Sequence, residues 1–271
     1  MTAPDATAAL PDPRRLFDVT GKVAIVAGAT GAFGAIAAQA LAAAGCRLVL
    51  AAGREAQLRD VAERCRAAGA QLITVPRRAT SETDAEAIMQ AAADRFGSLD
   101  ILVVASGLND VAPIVEMTPA RFAAVMDGNL TSAWLLCRAF GARVIPQGRG
   151  GKVVLVSSTR GILGHPAGYT AYCASKAATD GLTRALACEW GKHRIHVNAL
   201  APTVFRSPLT AWMFAADERA RTTRAGMLAR IPLGRLGEPE DLTGPLLFLV
   251  SGASDFYTGH VLYADGGYTA G

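Results

Sequence analysis

Seven short apolar runs punctuate the chain, at 23–27, 47–51, 72–76, 100–105, 152–157, 195–200 and 261–264. Most are continuous stretches of Val, Ile, Leu and Ala. A strand that is apolar on both faces belongs inside a parallel sheet covered on both sides. Between the runs lie longer segments with helical spacing of apolar positions, at 33–44, 55–68, 82–96, 119–145, 170–190 and 239–251. Ser81 with Asp84 reads as a capping box, and Thr118-Pro119 as an N-cap followed by proline in the first helical turn. Strands alternating with helices predict an α/β fold, a doubly wound, Rossmann-like parallel sheet with helices on both faces. Ligands in that architecture lie at the carboxyl ends of the strands. Gly28, Gly107, Ser158 and Pro202 each fall just past the end of an expected strand, so the pattern brings them to one cleft.

Composition sharpens this picture in a few places. A chain of 271 residues, 51% apolar, suits one compact catalytic and nucleotide-binding domain over 20–271, preceded by an arm at 1–19. The arm is proline-punctuated (Pro4, Pro11, Pro13) and lacks the basic start and apolar centre of a secretory signal. No apolar run is long enough to cross a membrane. Cys46, Cys65, Cys137, Cys173 and Cys188 form no Cys-x-x-Cys pair, so neither a metal site nor a disulfide framework is expected, and the thiols read as reduced and cytoplasmic. The net charge is +4, with arginines scattered along helix-like segments. A nucleic-acid surface needs basic residues concentrated on one face, and this chain does not concentrate them.

The chemistry concentrates in two places. After the first strand comes Gly28-Ala29-Thr30-Gly31-Ala32-Phe33-Gly34, leading straight into a helix. A strand, a glycine-rich turn and a helix N-terminus together offer backbone N–H groups to a pyrophosphate. Further on, Tyr172 and Lys176 stand one helical turn apart and share a face. An ammonium beside a phenol favours the phenolate, which predicts a Tyr172 pKa below the ordinary value near 10. Either motif alone is a common accident, since glycines mark ordinary turns and lysines decorate ordinary helices.

Taken in order, these motifs resemble those of the short-chain dehydrogenases/reductases, from about Thr20 to Gly271. Gly28 and Gly34 match the first and third glycines of that family's Gly-x-x-x-Gly-x-Gly turn, with Ala32 at the second. Asn129, Ser158, Tyr172 and Lys176 match its catalytic set one by one. Further matches are Val197-Asn198-Ala199-Leu200-Ala201-Pro202, Gly234-Arg235-Leu236-Gly237-Glu238-Pro239 and Asp265-Gly266-Gly267. Two departures concern the adenosine side: Val104-Ala105-Ser106-Gly107 replaces the family's Asn-Asn-Ala-Gly, and Arg78 stands where an aspartate is frequent.

The resemblance implies an oxidoreductase moving a hydride between a nicotinamide cofactor and a ketone or secondary alcohol. Tyr172 is then the acid/base, Lys176 its partner and a ribose ligand, Ser158 the carbonyl's hydrogen-bond donor, and Asn129 the holder of a water linked to Lys176. Gly28, Thr30, Gly31, Phe33, Gly34, Arg54, Gly107, Tyr172, Lys176 and Pro202 are the expected cofactor contacts. NADP(H) is favoured over NAD(H), because Ala52 fills the place of the acid that repels a 2′-phosphate, and Arg54 lies two residues on. The segment 203–230 is expected to arch over the substrate as a lid. Within it Leu209, Trp212, Met213 and Ala216 recur at helical spacing, suggesting an apolar face toward an apolar or aromatic substrate, with Tyr169 as a cleft wall. No membrane or nucleic-acid partner is implied, and the family suggests a homotetramer. A dinucleotide-binding sensor without turnover is the alternative class, disfavoured because a binder has no need of Tyr172 and Lys176 together.

Overall fold

The computed structural model describes residues 12–271, so the arm's residues 1–11 lie outside the described part. The seven apolar runs form strands β1 Val23–Ala27, β2 Arg47–Ala51, β3 Leu72–Val75, β4 Ile101–Val104, β5 Gly151–Val156, β6 Ile195–Pro202 and β7 Val261–Ala264. All pair in parallel, in the order β3-β2-β1-β4-β5-β6-β7. The helices are α1 Ala32–Ala43, α2 Glu55–Ala67, α3 Glu82–Phe96, α4 Pro119–Met126, α5 Ser132–Gln147, α6 Thr170–Trp190, α7 Glu218–Leu228 and α8 Glu240–Val250.

Alternation along each strand assigns the two faces. Ile25 and Ala27 pack with residues of α3, α5 and α6, whereas Ala24 and Val26 pack with residues of α1, α2 and α8. Both faces are therefore dry, which explains strands without polar alternation. Ile25, Leu48, Leu102 and Phe140 are completely buried. Each side chain of this size contributes about 1.5–3 kcal/mol on leaving water. The chain order reverses between β1 and β4, and a crevice opens there past the strand ends.

Two expectations about element bounds are corrected. The helix expected over 119–145 is not continuous: α4 stops at Met126, a wide π turn spans Asp127–Thr131, and α5 starts at Ser132. The widened turn carries Asn129, whose side-chain amide exchanges hydrogen bonds with the Leu108 backbone, donating to its carbonyl and accepting from its N–H. Such widened turns concentrate at functional sites. Strand β6 also runs on to Pro202, which is buried and faces Ala264 of β7 rather than sitting beyond the strand.

Candidate active site

The nucleotide turn is built by close approach. Gly28 has φ +81°, and a Cβ there would lie 2.3 Å from the Ser106 backbone nitrogen. A Cβ on Gly34 would meet the Gly28 carbonyl oxygen at 2.1 Å, so these two glycines fold the turn onto itself and seat α1 against β1. Gly31 is the N-cap of α1 and contributes no side-chain cap. The N–H groups of the first turn consequently lack helical partners and face the crevice as an anion-binding end. Gly28, Thr30, Gly31, Arg54 and Gly107 line a cleft of about 860 Å³ together with Ala52, Ser106 and Leu108. The buried Ser106 hydroxyl has no hydrogen-bond partner in the protein and stands among these lining residues. An orphaned polar atom, a helix N-terminus and a glycine cradle fit a dinucleotide. Phe33 departs from expectation: its side chain is buried in the sheet–helix core and leaves only its N–H for a ligand. Pro202 is likewise sequestered in β6.

The end of the cleft past β2 and β3, where the adenosine is expected, is basic. Arg54, Arg77 and Arg78 all line it, and Arg77 is tied to Asp84 at 2.7 Å. Arg54 is the N-cap residue of α2 yet makes no side-chain capping bond. The stem of Arg78 crosses Gly53, with its Cγ and Cδ 2.8 and 2.9 Å from where a Gly53 Cβ would be. Sequence reasoning did not single out Arg77 as a lining residue; its position in the run following β3 was the available signal.

At the other end, the structure brings Asn129, Ser158, Tyr172 and Lys176 together. Lys176 is 4% exposed, and its Nζ donates to the Val156 carbonyl at 2.7 Å and lies 5.6 Å from the Tyr172 ring centroid. Asn129 also donates to the Ser175 hydroxyl at 2.8 Å, which ties the widened turn to α6. Gly107 separates Asn129 from Lys176, its Cβ position being 3.4 Å from Asn129 Oδ1 and 3.8 Å from Lys176 Nζ. Ser158 caps the 3-10 turn Thr159–Gly161 by accepting from the Arg160 N–H at 3.2 Å. Tyr169 meets Tyr172 edge-on with centroids 6.2 Å apart, and His165 packs on Tyr169 at 4.4 Å.

Electrostatics here correct the expected direction for Tyr172. Burial raises its pKa above the ordinary value, outweighing a hydrogen bond with Ser158 and the positive charge of Arg160, both of which pull it down. Burial lowers the Lys176 pKa to about 8 against the opposing pull of Asp180. The ammonium donates to the Val156 carbonyl and stands 5.6 Å from the Tyr172 ring centroid.

The expected apolar lid face also dissolves. Between Leu209 and Ala216 only Ala211–Phe214 is helical, as a single 3-10 turn, so residues spaced for an α-helix do not share a side. Met213 is buried at 5%, while Leu209 is 74% and Trp212 45% exposed and Ala216 also faces outward. Trp212 carries Arg219 against its ring at 5.0 Å. The helix of this segment is α7, announced by Asp217, whose side chain accepts from the Ala220 N–H at 2.9 Å.

Comparison with known proteins identifies the family. The family model described as enoyl-(acyl carrier protein) reductase matches residues 28–269. The chain belongs to the short-chain dehydrogenase/reductase family. It is 55% identical to an uncharacterized oxidoreductase of Mycobacterium tuberculosis, over 94% of this chain and 93% of the relative. It is 34% identical to the 2-dehydro-3-deoxy-D-gluconate 5-dehydrogenase of Dickeya dadantii, over 94% and 98%. It superposes with a TM-score of 0.86 on a gluconate 5-dehydrogenase from Burkholderia cenocepacia J2315 in complex with NADP and tartrate, at 29% identity, covering 95% of this chain and 98% of that one. This family member is an NAD(P)-dependent oxidoreductase, which sets aside the sensor alternative. Among the described residues no acidic, histidine and cysteine cluster could hold a metal, and no helix is long and apolar enough to cross a membrane.

Proposed function

We propose that the protein interconverts a secondary alcohol and a ketone on a small polar molecule, with NADP(H) as its preferred cofactor. The observation that carries this reading is the convergence of Ser158, Tyr172 and Lys176 beside Gly107, which lines the same cleft as Arg54 and Arg78. A bound nicotinamide dinucleotide supplies or accepts the hydride. Gly28, Thr30, Gly31 and Gly107 would hold its phosphates and ribose by close backbone approach, and Lys176 its nicotinamide ribose. Tyr172 donates a proton to the carbonyl oxygen during reduction and takes it from the hydroxyl during oxidation. Ser158 hydrogen-bonds the same oxygen and stabilises negative charge developing there. Burial keeps Tyr172 protonated at neutral pH, the state needed for reduction. Asn129 fixes the widened turn and the Ser175 face of α6, and so positions Lys176.

The substrate reading shifts toward polar molecules, because the lid offers exposed Leu209 and Trp212 instead of a continuous apolar wall. Relatives named for sugar acids point the same way. A homotetramer is supported by exposed aromatic surface on α4 and α5, at Phe122 (41%) and Trp134 (46%).

The decisive experiment replaces Tyr172 by Phe and follows NADPH oxidation with a panel of ketones. Turnover falls by roughly 10²-fold or more while NADPH affinity holds. Near-normal turnover in that variant refutes the assignment.

A further inference from the structure

Tyr268 is 1% exposed and stands in a small core beside Ile231, Leu236, Leu163 and Met227. Two guanidinium groups pack against its ring, Arg160 at 5.6 Å and Arg230 at 4.3 Å. They come from different segments, Arg160 from the turn that Ser158 caps and Arg230 from just after α7. Arg160 also donates to the Tyr268 hydroxyl at 3.1 Å and to the Gly164 carbonyl at 2.7 Å, which fixes its plane and leaves further N–H groups unused.

Neither arginine forms an ion pair among the described residues. Other arginines of the same region do: Arg206 pairs with Glu238, Arg221 with Glu218 and Arg235 with Asp241. The acid next to Tyr268 in sequence, Asp265, is occupied by the Gly267 N–H and by the N–H and hydroxyl of Thr269. The two positive charges therefore reinforce each other's field without an internal counter-ion. Both act on His165, and Arg160 acts on Tyr172, so the field covers the reacting end of the cleft. Anchoring the C-terminal segment would need one cation on the ring; a second, uncompensated one suits an incoming anion.

Building on the proposed alcohol–ketone chemistry, we infer that Arg160 and Arg230 form the carboxylate subsite that selects hydroxy-acid and keto-acid substrates over neutral polyols. Guanidinium matches a carboxylate with paired N–H donors, and lysine in its place would not. Arg160, its plane held by Tyr268 and Gly164, supplies the oriented donor. Arg230, exposed to solvent, supplies the second charge.

The test compares D-gluconate with D-glucitol, which differ at C1 by a carboxylate against a hydroxymethyl group. Calorimetric binding to the NADP-loaded protein is measured for wild type, Arg160→Gln and Arg230→Gln, and kcat/KM for whichever of the two sugars turns over. Wild type prefers gluconate by at least about tenfold, and each substitution cuts that preference by about tenfold. L-Tartrate, as a shorter dicarboxylate probe, weakens in parallel. Affinity for NADP(H), held at the far end of the cleft, reports whether each variant is folded, and exposed Arg230 serves where Arg160→Gln is not. Equal binding of gluconate and glucitol by wild type, or a preference untouched by Arg230→Gln, overturns the subsite. Anion binding is read without turnover, so an active Tyr172→Phe enzyme would refute the acid/base assignment and leave this subsite standing.

Discussion

Cofactor choice is the sharpest consequence of the basic adenosine end. Arg54 and Arg78 line the cleft, and among the described residues neither is committed to an ion pair, whereas Arg77 is held by Asp84 at 2.7 Å. A charge-assisted hydrogen bond to a 2′-phosphate contributes about 1.5–3 kcal/mol. Losing one therefore costs about 10- to 150-fold in affinity. Arg54→Ala and Arg78→Ala should each reduce kcat/KM for NADPH by that order and leave NADH nearly unchanged. Arg77→Ala should change it by less than about threefold, since its guanidinium is spent on Asp84. The crossing of Arg78 over Gly53 adds an independent handle. A methyl at Gly53 would stand 2.8 Å from Arg78 Cγ, so Gly53→Ala displaces the Arg78 stem and should mimic part of its loss. Ala52→Asp restores the acid that repels the phosphate and should turn the preference toward NADH. The assay is steady-state kinetics with both cofactors on one substrate, backed by fluorescence titration of NADPH. If the NADPH-to-NADH ratio of the Arg54→Ala, Arg78→Ala double variant stays within twofold of wild type, the reasoning fails.

Two further outcomes follow. Lys176 titrates near pH 8 in the folded protein and near 10.5 unfolded, so between those values the unfolded chain binds more protons and this residue makes stability rise with pH. The cofactor-free wild type should gain on the order of 3 kcal/mol relative to Lys176→Met between pH 7 and pH 10, in chemical denaturation; a constant difference across that window contradicts the burial argument. The protein should sediment as a homotetramer at micromolar concentration, and Trp134→Glu, placing a charge on exposed α5 surface, should lower the assembly state; a monomeric wild type removes the proposal.

Legibility in the sequence followed the strength of the physical signal. The strands were readable because a sheet covered on both faces demands continuous apolar runs, and Val23–Ala27 or Ile101–Val104 can satisfy little else. Helix α3 was readable at its start, since Ser81 caps it, and in the structure Gly97 closes it in a left-handed conformation. The widened turn at Asp127–Thr131 was not, because its cause is Asn129 reaching Leu108, a partner 21 residues away. Lid geometry failed for a related reason. Leu209, Trp212 and Met213 fit a helical period, but Thr210 ties its hydroxyl to the Phe205 carbonyl and the Ser207 N–H, and the chain closes into turns before a helix can start. The sign of the Tyr172 shift was lost because spacing reports which groups are neighbours and says nothing about how much water surrounds them.

The same distinction explains why a motif can survive a letter change. In the glycine turn, Gly28 and Gly34 are demanded by contacts of 2.3 and 2.1 Å with backbone atoms, which no side chain could share. Ala32 stands at the first position of α1, half-exposed, where a methyl meets no comparable constraint. The turn therefore keeps its shape with two glycines of the three. On the adenosine side the replaced residues are of the other kind. Ser106 and Arg78 line the ligand cleft, so their identities alter what is bound and not whether the chain folds. Val104 of the same departure is instead a core residue, so only part of that change reaches the cleft.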